Sequence, residues 1–198
     1  MKIIPKIFLL KIFLITYLFA CGKKKNVVQQ INSAVDRNTR AQKSPKPLLD
    51  RFIPKGYSIL DTASGNLNLD KHNDMIVILK KNNEAQTADI IDNPEARPLL
   101  ILLGQKNGEL KLAAKSNSTV YCYDCGGMMG DPYQGIVIKD GYFSIEHYAG
   151  SAWRWSRIIT YKFSTSENYW FLHRDIGESF HVSEPDKVDR QEKTKKDF

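Results

Sequence analysis

Residues 153–163 alternate without a break. Trp153, Trp155, Arg157, Ile159, Tyr161 and Phe163 fall on one side of an extended chain, and Arg154, Ser156, Ile158, Thr160 and Lys162 on the other. Successive side chains of a strand point to opposite faces, so a period of two specifies a β-strand and argues against an amphipathic helix here. The neighbouring segments point the same way. Residues 75–79, Met-Ile-Val-Ile-Leu, make a short apolar run of buried-strand length. Residues 99–103 and 110–114 flank Asn107-Gly108, and residues 136–138 and 143–147 flank Asp140-Gly141. Asn-Gly and Asp-Gly supply the positive φ angles of tight hairpin turns. A turn at 164–168 leads to a further strand at 169–173. Residues 48–52 suit one helical turn before Pro54. Long helical patterns are absent, which argues against an α/β enzyme scaffold, and no fixed-period repeat suggests a propeller or solenoid. The expected fold is mainly β: an antiparallel sheet or sandwich built from sequential hairpins.

The N-terminus carries a different signal. A basic start at Lys2 leads into an apolar stretch over 7–20, ending in Leu18-Phe19-Ala20-Cys21. The stretch is shorter than the roughly 20 apolar residues of a membrane span and Lys11 interrupts it. Leu18 and Phe19 suit ordinary A-x-A cleavage poorly. The segment resembles a bacterial lipoprotein signal ending in a lipobox. The resemblance implies removal of residues 1–20, lipid (palmitate among its chains) on Cys21, and attachment to the cell envelope. Because Gly22 replaces the Asp that marks inner-membrane retention, it also implies the periplasmic face of the outer membrane.

This organises the rest of the chain. Residues 21–46 read as the lipidated cysteine and a flexible, disordered tether, 47–183 as a β-rich domain, and 184–198 as a polar tail. The formal charge is +7, but residues 22–46 hold seven basic residues against Asp36, whereas 47–183 hold 14 basic against 16 acidic residues. A nucleic-acid binder carries its basic patch on the folded domain, so no nucleic-acid partner is expected. Lys23, Lys24 and Lys25 suit anionic headgroups, each worth about 1 kcal/mol, and equally suit a merely solvated run. As a flexible chain of 25 residues, the tether spans about 25–30 Å.

With Cys21 lipidated, Cys122 and Cys125 remain as a pair in a disulfide-permissive compartment. They lie in Tyr121-Cys122-Tyr123-Asp124-Cys125-Gly126-Gly127-Met128-Met129. A structural disulfide stapling a glycine-rich loop is the expectation. A redox dithiol is the alternative, although Gly-Gly-Met-Met starts a helix poorly and the helix dipole is what lowers such thiol pKa values. Two cysteines are half a zinc site, and soft sulfur with Met128 and Met129 would suit Cu(I).

Asn66, Asn68, Asp70 and Asp74 place oxygen-bearing side chains in a short loop before the apolar run at 75–79. The spacing resembles the calcium loops of FG-GAP and VCBS-type repeats, with Asn66 replacing the first Asp and Lys71 the Gly. The resemblance implies Ca2+ held by Asn66, Asn68, Asp70 and Asp74, with the His72 carbonyl. A self-capping Asx turn without metal fits the same residues. Trp153, Trp155 and Tyr161 suit stacking on sugars, and Arg154 and Arg157 suit gripping carboxylates; aromatics on one strand face equally suit a core. Asp131, His147 and Ser151 make a triad on paper, but no nucleophile-elbow pattern accompanies them.

Over residues 52–175 the chain resembles a group of bacterial envelope lipoproteins and secreted proteins that share the Asn/Asp loop, the strand beginning Arg97-Pro98, the Cys122/Cys125 segment with its two glycines, and Gly150-Ser-Ala-Trp-Arg-Trp-Ser-Arg157. That resemblance implies location and a β-rich fold and carries no activity. The sequence expectation is a lipid-anchored, non-catalytic binding or structural module whose protein or glycan partner is unspecified. The alternative is an envelope redox or metal-handling protein using Cys122 and Cys125.

Overall fold

A computed structural model describes residues 46–92 and 94–194. The expected signal peptide, Cys21 and the tether up to residue 45 lie outside the described residues. Among the described residues nine strands form two antiparallel sheets. The first joins β1 (Tyr57–Gly65), β2 (Asp74–Lys81), β3 (Arg97–Gly104) and β4 (Leu110–Val120) in chain order. The second joins β5 (Tyr133–Lys139), β6 (Tyr142–Gly150), β7 (Trp153–Ser164), β8 (Tyr169–His181) and β9 (Asp189–Thr194), also in chain order. The helical turn expected before Pro54 is present as α1 (Lys46–Leu49) followed by a 3-10 turn at Asp50–Phe52. A second short helix, α2 (Glu84–Thr87), lies between β2 and β3.

The β5–β6 turn is the tight one foreseen. Lys139 pairs with Tyr142, and Asp140 and Gly141 take φ values of 47° and 79°, as a two-residue turn with both centres left-handed requires. The β3–β4 connection is looser than its Asn-Gly suggested. Only Gly108 has positive φ, at 80°. The ladder stops at Gly104 and Leu110, and the Gln105 N–H closes the loop on the Glu109 carbonyl at 2.8 Å.

The apolar runs have a simple cause: the first sheet is covered on both faces. From one face Ile76, Ile78, Leu99 and Ile101 pack with Leu67 and Val120 against Phe143, Ile145, Phe163 and Trp170 of the second sheet. From the other, Val77, Leu79, Leu100 and Leu102 pack beneath Leu49, with Phe52 and Ile53 alongside. Each such side chain stabilises the fold by about 1.5–3 kcal/mol. Trp170 also ties the core to the loop before β2, its indole N–H donating to the Leu67 carbonyl at 2.9 Å.

Strand β7 corrects the core expectation for its aromatic face. Tyr161 packs on the inter-sheet core and Phe163 is part of it, but at the other end Trp153 is 62% exposed and Trp155 is half-buried. Neither tryptophan belongs to the inter-sheet core. The polar tail differs as well. Residues 189–194 of it form β9, paired to β8. This strand has no buried face and is held laterally, by Arg174–Glu192 at 2.6 Å and Arg190–Glu178 at 2.5 Å. A charged edge of this kind also discourages sheet-to-sheet aggregation.

Candidate ligand cleft beside the disulfide loop

Residues 121–132 cross from the first sheet to the second, and Cys122 and Cys125 are bonded to each other there. Cys122 is buried, and Cys125 is followed by a 3-10 turn at Gly127–Met129 rather than an α-helix. Gly126 explains the Cys-Gly-Gly sequence. A Cβ there would meet the Gly130 carbonyl oxygen at 2.1 Å and the Ala149 Cβ at 2.9 Å, so the loop lies on β6 only with glycine at this position. Asp124 fixes the loop from the other side by accepting the Ile90 N–H at 2.8 Å.

Beneath the loop sits a polar network that the sequence reading did not assemble. Arg97, at the start of β3, is fully buried. Its Nε and one Nη donate to both oxygens of Glu84 (3.0 and 2.6 Å), its two Nη atoms donate to both oxygens of Asp131 (2.7 Å each), and a further contact reaches the Tyr121 carbonyl at 3.4 Å. All five guanidinium N–H groups therefore have partners. Burial opposes the Arg97 charge, but the two carboxylates outweigh it and hold the guanidinium ionised. Tyr133 donates to Asp61 at 2.8 Å, and burial, with that carboxylate, pushes its hydroxyl up.

His147 pairs across from Arg157 on β7. It is 1% exposed, stacks on Tyr121 with ring centroids 4.4 Å apart, and accepts the Tyr121 N–H at Nε2 (3.2 Å). Its Nδ1 has no partner among the described residues. Burial lowers its pKa to about 4, with the cations Arg157 and Arg97 acting in the same direction. The triad drawn from the sequence does not form: Asp131 is engaged by Arg97 and the Tyr133 N–H.

Arg157 closes the network toward solvent. It donates to both oxygens of Asp175, at 2.8 and 2.6 Å, and to the Tyr121 hydroxyl. This pairing raises the Arg157 pKa and lowers that of Asp175. Beyond Arg157 the sheet opens into a cleft of about 370 Å³. Cross-strand register builds it in two rows: Trp155, Ser179 and Asp189; then Arg157, Gly177 and Gln191. Tyr121 forms the wall on the loop side, its ring 5.9 Å from that of Trp155. Gly177 is the floor, and a Cβ added there would meet nothing within 4 Å. The side chains of Ser179, Asp189 and Gln191 and the Trp155 indole N–H have no hydrogen-bond partners among the described residues. Of the residues singled out from sequence, Trp155 and Arg157 belong to this cleft, whereas Tyr161 is part of the core boundary and stacks on Phe143.

The Asn/Asp loop lies elsewhere. Asn66 donates to the Asp70 carbonyl, Asn68 donates to the Asp70 carboxylate, and Asp70 accepts the His72 N–H at 2.6 Å. That last bond lowers the Asp70 pKa. Asp74 instead turns inward: it is 1% exposed and accepts the Leu67 and Gly104 N–H groups at 2.8 and 3.0 Å, with burial raising its pKa. Asn66 Oδ1 is buried without a partner among the described residues, and each Asp74 oxygen accepts one backbone N–H. Among the described residues no three of His, Cys, Asp and Glu converge as a metal site, and no helix is long and apolar enough to cross a membrane.

Comparison of the chain with protein-family models, curated proteins and solved structures gave no match.

Proposed function

We propose that this chain is a cell-envelope protein anchored through lipid on Cys21, and that its β-sandwich is a non-catalytic binding module whose ligand occupies the cleft over Gly177. The cleft carries the reading. It is a walled recess whose aromatic ring, hydroxyl, amide and carboxylate lack protein hydrogen bonds, beside a network whose charged groups are already engaged. A site of about 370 Å³ lies at the small end of the roughly 300–1,000 Å³ typical of ligand pockets. The acids and bases of the neighbouring Arg97 and Arg157 networks are pre-paired and offer no general base, which leaves Asp189 as the unengaged carboxylate of the lining and favours recognition. The lipobox resemblance supports the address, with the outer membrane as the expected site.

A structural calcium ion in the loop at 66–74 is a second reading, favoured by the orphaned Asn66 Oδ1. The coordination set would be Asn66, Asn68, Asp70, Asp74 and the His72 carbonyl.

Two measurements test the main reading. Metabolic palmitate labelling and detergent-phase partition should follow the wild-type chain and be lost in Cys21→Ser; an unlabelled wild-type protein would remove the anchor. Cosedimentation of the detergent-solubilised protein with isolated envelopes should drop in Gly177→Leu. Equal cosedimentation of the two would place binding outside the cleft.

A further inference from the structure

We infer that the cleft takes a neutral saccharide, with a pyranose ring against Trp155 and its hydroxyls bonded by Ser179, Asp189 and Gln191. The inference rests on the reading of this cleft as the binding site and adds the class of ligand.

Three features select that class. The first is the ring. Trp155 is half-buried, with Tyr121 at a 52° tilt beside it. The faces of aromatic rings are electron-rich and attract the positively polarised C–H groups that line one side of a pyranose.

The second is the set of hydrogen-bonding groups. Ser179 sits between Trp155 and Asp189 across the sheet, and Gln191 lies beyond Gly177. A hydroxyl, a carboxylate and an amide together offer both donors and acceptors, which matches hydroxyls that both give and receive hydrogen bonds. Leaving such groups without partners when a ligand covers them costs about 1–3 kcal/mol each, so a purely apolar ligand is disfavoured.

The third is charge. Arg157 is the cation in the cleft, and its guanidinium is spent on Asp175 and Tyr121. Asp189 stands open in the recess, so an anionic ligand would meet a carboxylate there, and Lys193 on the same face of β9 lies a row away, against Asp175. The absence of a side chain at Gly177 leaves the space in which a ring lies flat, and about 370 Å³ accommodates roughly one or two sugar rings. The lining side chains project from a sheet face, with Asp189 and Gln191 on the edge strand β9, so a peptide adding as a further strand would pair with the β9 backbone beside the recess and not within it.

The test is isothermal titration of the detergent-solubilised full chain with four probes: cellotetraose, chitotetraose, tetragalacturonate and trilysine. A neutral tetrasaccharide should bind, and Gly177→Leu should weaken it about tenfold or more. Gly177 faces open space, so that variant is expected to fold; a circular-dichroism melt checks it, and Gln191→Ala on the exposed β9 gives an independent loss. If tetragalacturonate binds instead and Gly177→Leu abolishes it, the neutrality of the ligand falls, and if trilysine does so the saccharide assignment falls, while in both cases the cleft remains the site. Should the tetrasaccharide bind Gly177→Leu as well as wild type, the cleft itself is wrong. Failure of both neutral probes to bind wild type overturns the inference.

Discussion

Mild acid should loosen this sandwich before its carboxylates titrate, because of His147. The imidazole is buried between Tyr121, Tyr133, Arg97, Arg157 and Asp131, and its pKa falls from 6.5 to about 4. Below about 6.5 the unfolded chain takes up a proton at this residue and the folded chain does not. Stability therefore falls as pH falls through the window from 6.5 to about 4, and the loss levels off once both states are protonated. At 1.36 kcal/mol per unit the total is about 3 kcal/mol, or roughly 6–12 °C in Tm for a chain of this size. Asp175, held low by Arg157, adds its own loss only as pH drops through and below its ordinary 3.8. The assay is chemical denaturation at a series of pH values, comparing wild type with His147→Gln. Glutamine keeps an acceptor for the Tyr121 N–H and does not titrate. The variant should be weaker near neutrality by about 1 kcal/mol for the lost Tyr121 stack, and should lack the fall that wild type shows; Asp74, whose raised pKa lets the folded state take up its proton first, acts in the opposite direction in both proteins. A flat wild-type profile, or the same slope in both proteins, would refute the burial and charge argument.

Removing the Arg97 guanidinium by Arg97→Met should cost about 3–5 kcal/mol, because Glu84 and Asp131 lose all their Arg97 contacts; urea denaturation measures it, and a loss under 1 kcal/mol would mean the network contributes little. The Cys122–Cys125 bond closes so short a loop that changing both residues to Ser should cost only about 2 kcal/mol, and in the wild type the bond should resist reduction in graded dithiol buffers; ready reduction at potentials above about −230 mV would favour the exchange chemistry of the redox alternative. If calcium occupies the loop at 66–74, millimolar calcium should raise Tm over a chelator control and Asp70→Asn should abolish the rise. An unchanged Tm would leave the loop held by its Asx bonds alone.

What was legible in the sequence follows from which residues carried a period. Residues 153–163, the apolar runs near 75–79 and 99–103, and Asp140-Gly141 each had one local structure that suited them, and the strands and tight turn stand there. Strand β9 was not legible because Asp189–Thr194 is polar on both faces; its partners, Arg174 and Glu178, lie 10 to 20 residues earlier in the chain. The cleft was half legible. Trp155 stood out with Trp153 and Tyr161 as aromatics of one strand face and Arg157 with Arg154 as cations, but whether such a face meets a core or solvent depends on the sheet packed against it, which no local pattern encodes. Arg97 gave one available signal, an arginine opening an otherwise apolar strand, since a charge in that position must bring its own counter-charges. The glutamate and aspartate that meet it lie 13 and 34 residues away.

The central claim is that the recess over Gly177 is where this protein meets its ligand. The most direct measurement is amide chemical-shift mapping of the 15N-labelled chain as a soluble glycan fraction of its own cell envelope is added. Shifts clustered at Trp155, Arg157, Gly177, Ser179, Asp189 and Gln191, and absent in Gly177→Leu, are the predicted result. Shifts centred on another face, or a Gly177→Leu spectrum that responds as wild type does, would contradict it.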